Sequence, residues 1–150
     1  LASTLSTEKR SAKRIQGLRT LFKAITQYAT GYTGSDTIRS RLDDVILPIC
    51  IQGLRPGTAT PAEQYASCRV MEATSILIGA NEDGYTEAIY KPLERVVKMS
   101  GRAAQVRTAA LRALSMAYFI CASDVDAADV VLDLCEQVCA ETYRGADVPA

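Results

Sequence analysis

Apolar residues return every three or four positions through segment after segment of this chain, and no stretch of sustained apolar–polar alternation lies between turn signals. That spacing restricts the fold to α-helices that pack through one stripe each. Residues 8–30 carry the stripe Ile15, Leu18, Leu21, Phe22, Ile25 and Tyr28, with Lys9, Arg10, Lys13, Arg14, Arg19 and Lys23 over much of the rest. Gly31 and Gly34 are the expected stop. Residues 35–52, with Ser35 or Asp36 as N-cap, follow with Ile38, Leu42, Val45, Ile46 and Ile49, and then comes a loop of Gly53, Pro56 and Gly57. Thr60 and Pro61 form the N-cap and first-turn pair of a third helix, which runs to Gly79 through Tyr65, Cys68, Val70, Met71, Ile76 and Leu77. After a turn at Asn81–Gly84, a fourth helix over about 85–99 buries Ile89, Leu93, Val96 and Val97. The fifth, 102–121, carries Val106, Ala109, Ala110, Leu111, Leu114, Ala117 and Ile120, a face small enough for close approach of a neighbour. The sixth, about 124–143, is capped by Ser123 or Asp124 and presents Val131, Leu134, Cys135, Val138 and Thr142.

Six such helices suit a bundle or a solenoid of hairpins, and internal repetition favours the solenoid. Ile46-Leu47-Pro48-Ile49 lines up with Ile89-Tyr90-Lys91-Pro92-Leu93, which places a mid-helix proline in the second and fourth helices 44 residues apart. Proline costs about 3 kcal/mol inside a helix, so two in register imply one reused structural slot. The run from Arg14 to Leu21 also resembles that from Arg107 to Leu114, at a separation of 93, or about two repeats of 46. Periods of about 40–47 are those of HEAT and armadillo repeats. The expected architecture is therefore all-α: a right-handed helical-hairpin solenoid of about six main helices in three repeats. It occupies residues 1–150 as a single domain, read as a fragment of a longer chain. Leu18, Ile46, Ile76, Val96, Leu111, Leu114 and Leu134 are expected in one continuous core.

Composition excludes several kinds of chemistry. With no histidine, the commonest general base and metal ligand is missing. Five cysteines (Cys50, Cys68, Cys121, Cys135 and Cys139) are odd in number and widely spread, as expected of reduced thiols in a cytoplasmic or nuclear protein. Cys135 and Cys139 share a helix face but lack two further ligands and lie in an acidic segment, so buried apolar roles are expected for them. Asp124, Asp126, Asp129, Asp133 and Glu136 lack the spacing of a calcium loop and suit the first turns of a helix instead. No glycine motif for phosphates follows a strand, and the apolar runs are too short to span a membrane. No catalytic residue, metal, cofactor or small-molecule substrate is expected.

Charge is the clearest asymmetry. Seventeen cations balance seventeen anions overall, yet residues 1–60 carry +5, residues 61–120 carry +1 and residues 121–150 carry −6. In a solenoid, sequence order is spatial order, so a basic first hairpin stands opposite an acidic last one. Lys9, Arg10, Lys13 and Arg14 are the candidate contacts to phosphate or to a partner. No aromatic residue interleaves that cluster to stack on bases, so a solvated helix face is the competing reading. Tyr32, Tyr85 and Tyr90 are candidate interface anchors.

Val106-Arg107-Thr108-Ala109-Ala110-Leu111-Arg112-Ala113-Leu114 resembles the first helix of a HEAT repeat. Together with Leu1-Ala2-Ser3-Thr4-Leu5-Ser6, the arginine-rich first helix and Phe119-Ile120-Cys121-Ala122-Ser123-Asp124, it makes the whole chain resemble the N-terminal domain of the interferon-related developmental regulator family. The resemblance implies an ARM/HEAT-like, non-enzymatic scaffold that regulates gene expression, as a transcriptional co-regulator or a ribosome-associated repressor of translation. It implies a protein complex or the ribosome as partner, with RNA contact through the basic first hairpin. A generic HEAT-type protein adaptor without nucleic-acid contact is the alternative. The resemblance brings no catalytic or ligand motif, and the family's C-terminal region is not in this sequence.

Overall fold

The helical spacing of the sequence is realised along the chain. A computed structural model describes residues 2–28, 32–79, 83–121 and 126–145. They form α1 (Ala2–Tyr28), α2 (Tyr32–Ser40), a π-helical turn (Leu42–Ile46), α3 (Leu47–Gly53), α4 (Pro61–Ile78), α5 (Asp83–Lys98), α6 (Ala104–Cys121) and α7 (Asp126–Gly145), with no strand among the described residues.

The start and stop of α4 follow from local chemistry. Thr60 Oγ1 accepts from the Glu63 amide at 3.3 Å, and the Glu63 carboxylate accepts from the Thr60 amide at 2.7 Å. This reciprocal box satisfies two amides that a helix start leaves without partners, and Pro61 loses nothing in the first turn. At the other end Gly79 turns out at φ 70°, a left-handed value suited to glycine. Arg39 adds a cationic cap, donating from Nη2 to the carbonyls of Leu77 at 3.0 Å and Ile78 at 3.1 Å.

The segment expected as one helix over 35–52 is instead three elements. Gly34, Ser35 and Asp36 lie inside α2 rather than at a boundary, while Gly31 lies outside the described residues. The Ile46 amide then reaches back five residues to the Arg41 carbonyl at 3.2 Å, which widens the turn. The wider turn brings Leu42, Ile46, Leu47, Cys50 and Leu54 inward and leaves Val45 and Ile49 facing outward, contrary to a stripe drawn at ideal helical pitch. Pro48 falls in the first turn of α3, directly after this turn, whereas Pro92 lies inside α5. The two prolines therefore occupy different local settings, not one reused slot.

Packing arranges the helices as a two-row solenoid. α1, α4 and α6 lie side by side with α4 in the middle, and α3, α5 and α7 form the second row. The most extensive packing between consecutive helices is that of α3 on α4 and of α5 on α6; α4 and α5, expected as one hairpin, touch only slightly. The apolar face of α5, with Ile89, Leu93, Val96 and Val97, accounts for this by closing on α6. Ala109, Ala110, Ala113 and Ala117 give α6 the small face that lets its neighbours approach. Leu18, Ile46, Val96, Leu114 and Leu134 share one core, and Leu111 packs half-buried at its edge. Ile76 does not join them. It is 53% exposed, because the buried side of α4 is already filled by Val70, Met71, Ala73 and Leu77. Among the described residues, no helix is long and apolar enough to cross a membrane.

Candidate functional site, a groove across α1, α4 and α6

The row of α1, α4 and α6 encloses a groove of about 1030 Å³ on its surface. Two of its walls are copies of one pattern. Pro61, Ala62, Tyr65, Ala66 and Arg69 of α4 line it, and so do Ala104, Gln105, Thr108, Ala109 and Arg112 of α6, each 43 residues after its counterpart. Positions i, i+1, i+4, i+5 and i+8 lie on one helical face, so a 43-residue structural repeat carries the same face to the next helix. The third wall, α1, contributes Ile15, Leu18, Arg19, Phe22 and Lys23. A smaller groove of about 550 Å³ continues along α1, lined by Ala12, Gln16 and Thr20 with Ile15, Arg19 and Lys23 again.

Glu72, just outside the lining, fixes part of the charge at the margin. Its buried carboxylate accepts from Arg69 Nη1 at 2.6 Å and from Arg112 Nε at 2.9 Å. The Arg69 guanidinium also lies 5.1 Å from the centroid of the Phe22 ring, in cation–π contact. One anion thus braces two guanidiniums whose remaining N–H groups are available to a ligand. Arg19 and Lys23 have no carboxylate partner among the described residues, and no Asp or Glu lines the groove. The result is an apolar floor with a cationic margin.

The residues singled out in the sequence fall mostly outside this groove. Arg10 and Lys13 are exposed on α1, and the side chain of Lys9 lies outside the described residues. Arg14 Nη1 is 3.5 Å from Glu63 Oε1, and Ser11 Oγ is 3.1 Å from Thr60 Oγ1, so this part of α1 holds the capping box of α4. Arg19 and Arg112, aligned by the 93-residue repeat, both reach the groove; Arg69 was missed. The signal that finds it is the 43-residue step from Arg69 to Arg112.

Other candidates resolve into structure. Tyr90 stacks on Tyr118 at 4.1 Å and 21°, and its hydroxyl donates to the Ala117 carbonyl at 3.2 Å. It ties α5 to α6, while the side chains of Tyr32 and Tyr85 lie outside the described residues. Burial pushes the thiols of Cys50 and Cys68 up to about 12, far from a reactive thiolate. Cys135 is half-buried and Cys139 is exposed, so the buried role expected for both fails for Cys139, which sits on the outer side of α7. Asp129, Asp133 and Glu136 are exposed on that helix; Asp124 and the side chain of Asp126 lie outside the described residues. Among the described residues, no group of three or more His, Cys, Asp or Glu is placed to hold a metal.

The family model for the interferon-related developmental regulators matches residues 2–150. This chain belongs to the interferon-related developmental regulator family. Membership gives the groove a setting, since the family is one of regulators rather than a known enzyme family. Among curated proteins and among solved structures, none matches this interferon-related developmental regulator chain significantly.

Proposed function

We propose that this domain is a non-enzymatic regulatory scaffold of gene expression, a transcriptional co-regulator or ribosome-associated translational repressor, that works by docking a protein or ribonucleoprotein partner in the cytoplasm, the nucleus or both. Residues 1–150 act in it as a single ARM/HEAT-like repeat domain. The observation that carries the reading is the row of α1, α4 and α6, which offers a cationic margin from three helices around one groove. Solenoids of this kind present an extended face whose ordinary work is binding. Family membership supports a regulatory purpose for that binding.

Contact with RNA is assigned to the basic first helix, through Lys9, Arg10, Lys13 and Arg14, of which Arg10 and Lys13 are exposed. The exposed carboxylates Asp129, Asp133 and Glu136 on α7 repel a polyanion and so orient it toward the other end of the stack. Lys9→Gln, Arg10→Gln and Lys13→Gln together, with Arg14 kept for its pairing to Glu63, should weaken co-sedimentation with ribosomes. The dependence of log affinity on log salt should flatten by up to about one unit for each phosphate no longer neutralised. Ribosome binding indifferent to both salt and these substitutions sinks the RNA contact. The generic protein-adaptor reading then takes its place, and the apolar floor of the groove favours it independently.

A further inference from the structure

The scaffold reading leaves open what the groove itself holds, and its chemistry is specific. The floor is apolar, built from Ile15, Leu18, Ala62, Ala66 and Ala109, while Arg19, Lys23, Arg69 and Arg112 stand at the margin. A single-stranded nucleic acid needs successive aromatic faces on which its bases can stack, beside cations that track its phosphates. Here the Phe22 ring already carries the Arg69 guanidinium, which leaves the half-exposed Tyr65 as the one aromatic face among the lining residues, and the Glu72 carboxylate half-neutralises the two arginines. An apolar, alanine-rich floor gives bases little to stack on, and it suits a ligand that brings its own apolar stripe, with carboxylates for the cations at the margin.

Size agrees. An α-helix about 10 Å across with a 5.4 Å pitch displaces about 850 Å³ over two turns, close to the 1030 Å³ of the groove. We infer that the groove of α1, α4 and α6 docks an acidic amphipathic α-helix of a partner protein. Its apolar residues lie on the alanine-rich floor, and its carboxylates meet Arg19, Lys23 and the arginine pair braced by Glu72. This is helix-in-groove recognition, with charge complementarity setting the partner class. The inference rests on the scaffold reading of the domain and adds to it the chemistry of the partner.

The test uses three fluorescent probes on the intact protein. One is a helical peptide with Leu at i, i+3, i+4 and i+7 and Glu on both flanks; the second has Gln for every Glu; the third is a twelve-nucleotide single-stranded RNA. The Glu peptide should bind, with an affinity that falls as salt rises, and the Gln peptide should bind at least about tenfold more weakly, as expected when one or more charge-assisted hydrogen bonds are removed. Arg19→Gln with Lys23→Gln should lower affinity for the Glu peptide by about tenfold or more. Ala62→Glu, at an exposed first-turn position where a carboxylate suits the helix start, should do the same while circular dichroism stays unchanged. Lys91→Gln, on α5, should change nothing. A photo-crosslinker on the apolar face of the Glu peptide should mark Tyr65 and Thr108. Equal binding of the Glu and Gln peptides, or no effect of Ala62→Glu, overturns the inference. RNA displacing the Glu peptide from the groove, or binding there when the peptide does not, overturns it in favour of a nucleic-acid site. If no probe binds the groove, the inference falls alone, because ribosome co-sedimentation and its dependence on the basic residues of α1 test the ribonucleoprotein docking of the scaffold reading separately.

Discussion

Arg112 on α6 reaches Glu72 on α4 across 40 residues of sequence, Nε to Oε1 at 2.9 Å, and so ties the two central helices at the groove. Arg69 holds the other oxygen from the same helix as Glu72. The carboxylate is buried, while the Arg69 and Arg112 side chains are 28% and 64% exposed. Glu72→Ala should therefore cost about 1–3 kcal/mol, the range for loss of hydrogen bonds to a buried charged group. Arg112→Ala should cost less than about 1 kcal/mol, because solvent screens it. Double-mutant cycles read by urea titration should give Glu72 a stronger coupling to Arg69 than to Arg112.

Gly53 ends α3 against Ser67 of α4, and a Cβ at Gly53 would run into the Ser67 hydroxyl and press on its Cβ. On helix propensity alone, Gly53→Ala would gain about 1 kcal/mol. The close approach reverses that sign, so Gly53→Ala should destabilise by about 1–3 kcal/mol, as overpacking does. Ser67→Ala removes the buried hydroxyl, which has no hydrogen-bond partner among the described residues, and the double variant should recover most of the loss. Thermal unfolding of the four proteins checks this; equal melting temperatures for wild type and Gly53→Ala would refute the close packing.

The core makes a graded prediction. Leu114 is fully buried, so Leu114→Ala should cost about 2–5 kcal/mol. Leu111→Ala should cost less, at the half-buried edge, and Ile76→Ala should stay within about 0.5 kcal/mol, as exposed changes do. Denaturant midpoints at constant slope give the order directly.

Cys50 and Cys68 give a pH dependence. Their pKa values rise from 9.0 to about 12 because burial disfavours the thiolate, reinforced at Cys50 by the charge of Cys68 and opposed at Cys68 by the nearby Arg102. Above pH 9 the unfolded chain releases protons that the native state keeps. Their contribution to stability is fully present below about pH 9 and is lost between about 9 and 12. The fall in stability across that range should be shallower for Cys50→Ala with Cys68→Ala. At pH 8, a thiol reagent should label Cys139 at once and Cys50 and Cys68 only as the protein unfolds.

Much of this fold was legible because helix boundaries and stripes are local. Thr60, Pro61 and Gly79 mark the ends of α4 in the sequence as they do in the structure, and the alanines of α6 announce close packing. The π turn was not legible, since the five-residue hydrogen bonds from Ile46 to Arg41 and from Leu47 to Leu42 shift the phase of everything up to Leu54 without a distinctive residue to mark them. Ile76 fits a helical stripe equally well, and only the three-sided packing of α4 decides that it faces out. The groove was not legible as a site: the sequence repeat aligns Arg19 with Arg112 but points only to architecture, and the brace at Glu72 depends on which helices become neighbours.

The 43-residue step gives α4 and α6 the same outline, while α1 departs from it by presenting Arg19, Phe22 and Lys23. A groove with two matching walls and one odd wall has a beginning and an end. Anything elongated laid across the row meets the unopposed cations of α1 at one extreme and Gln105, Thr108 and the half-neutralised Arg112 at the other. The surface therefore distinguishes head from tail, and a sequence and its reversal present different ligands to it.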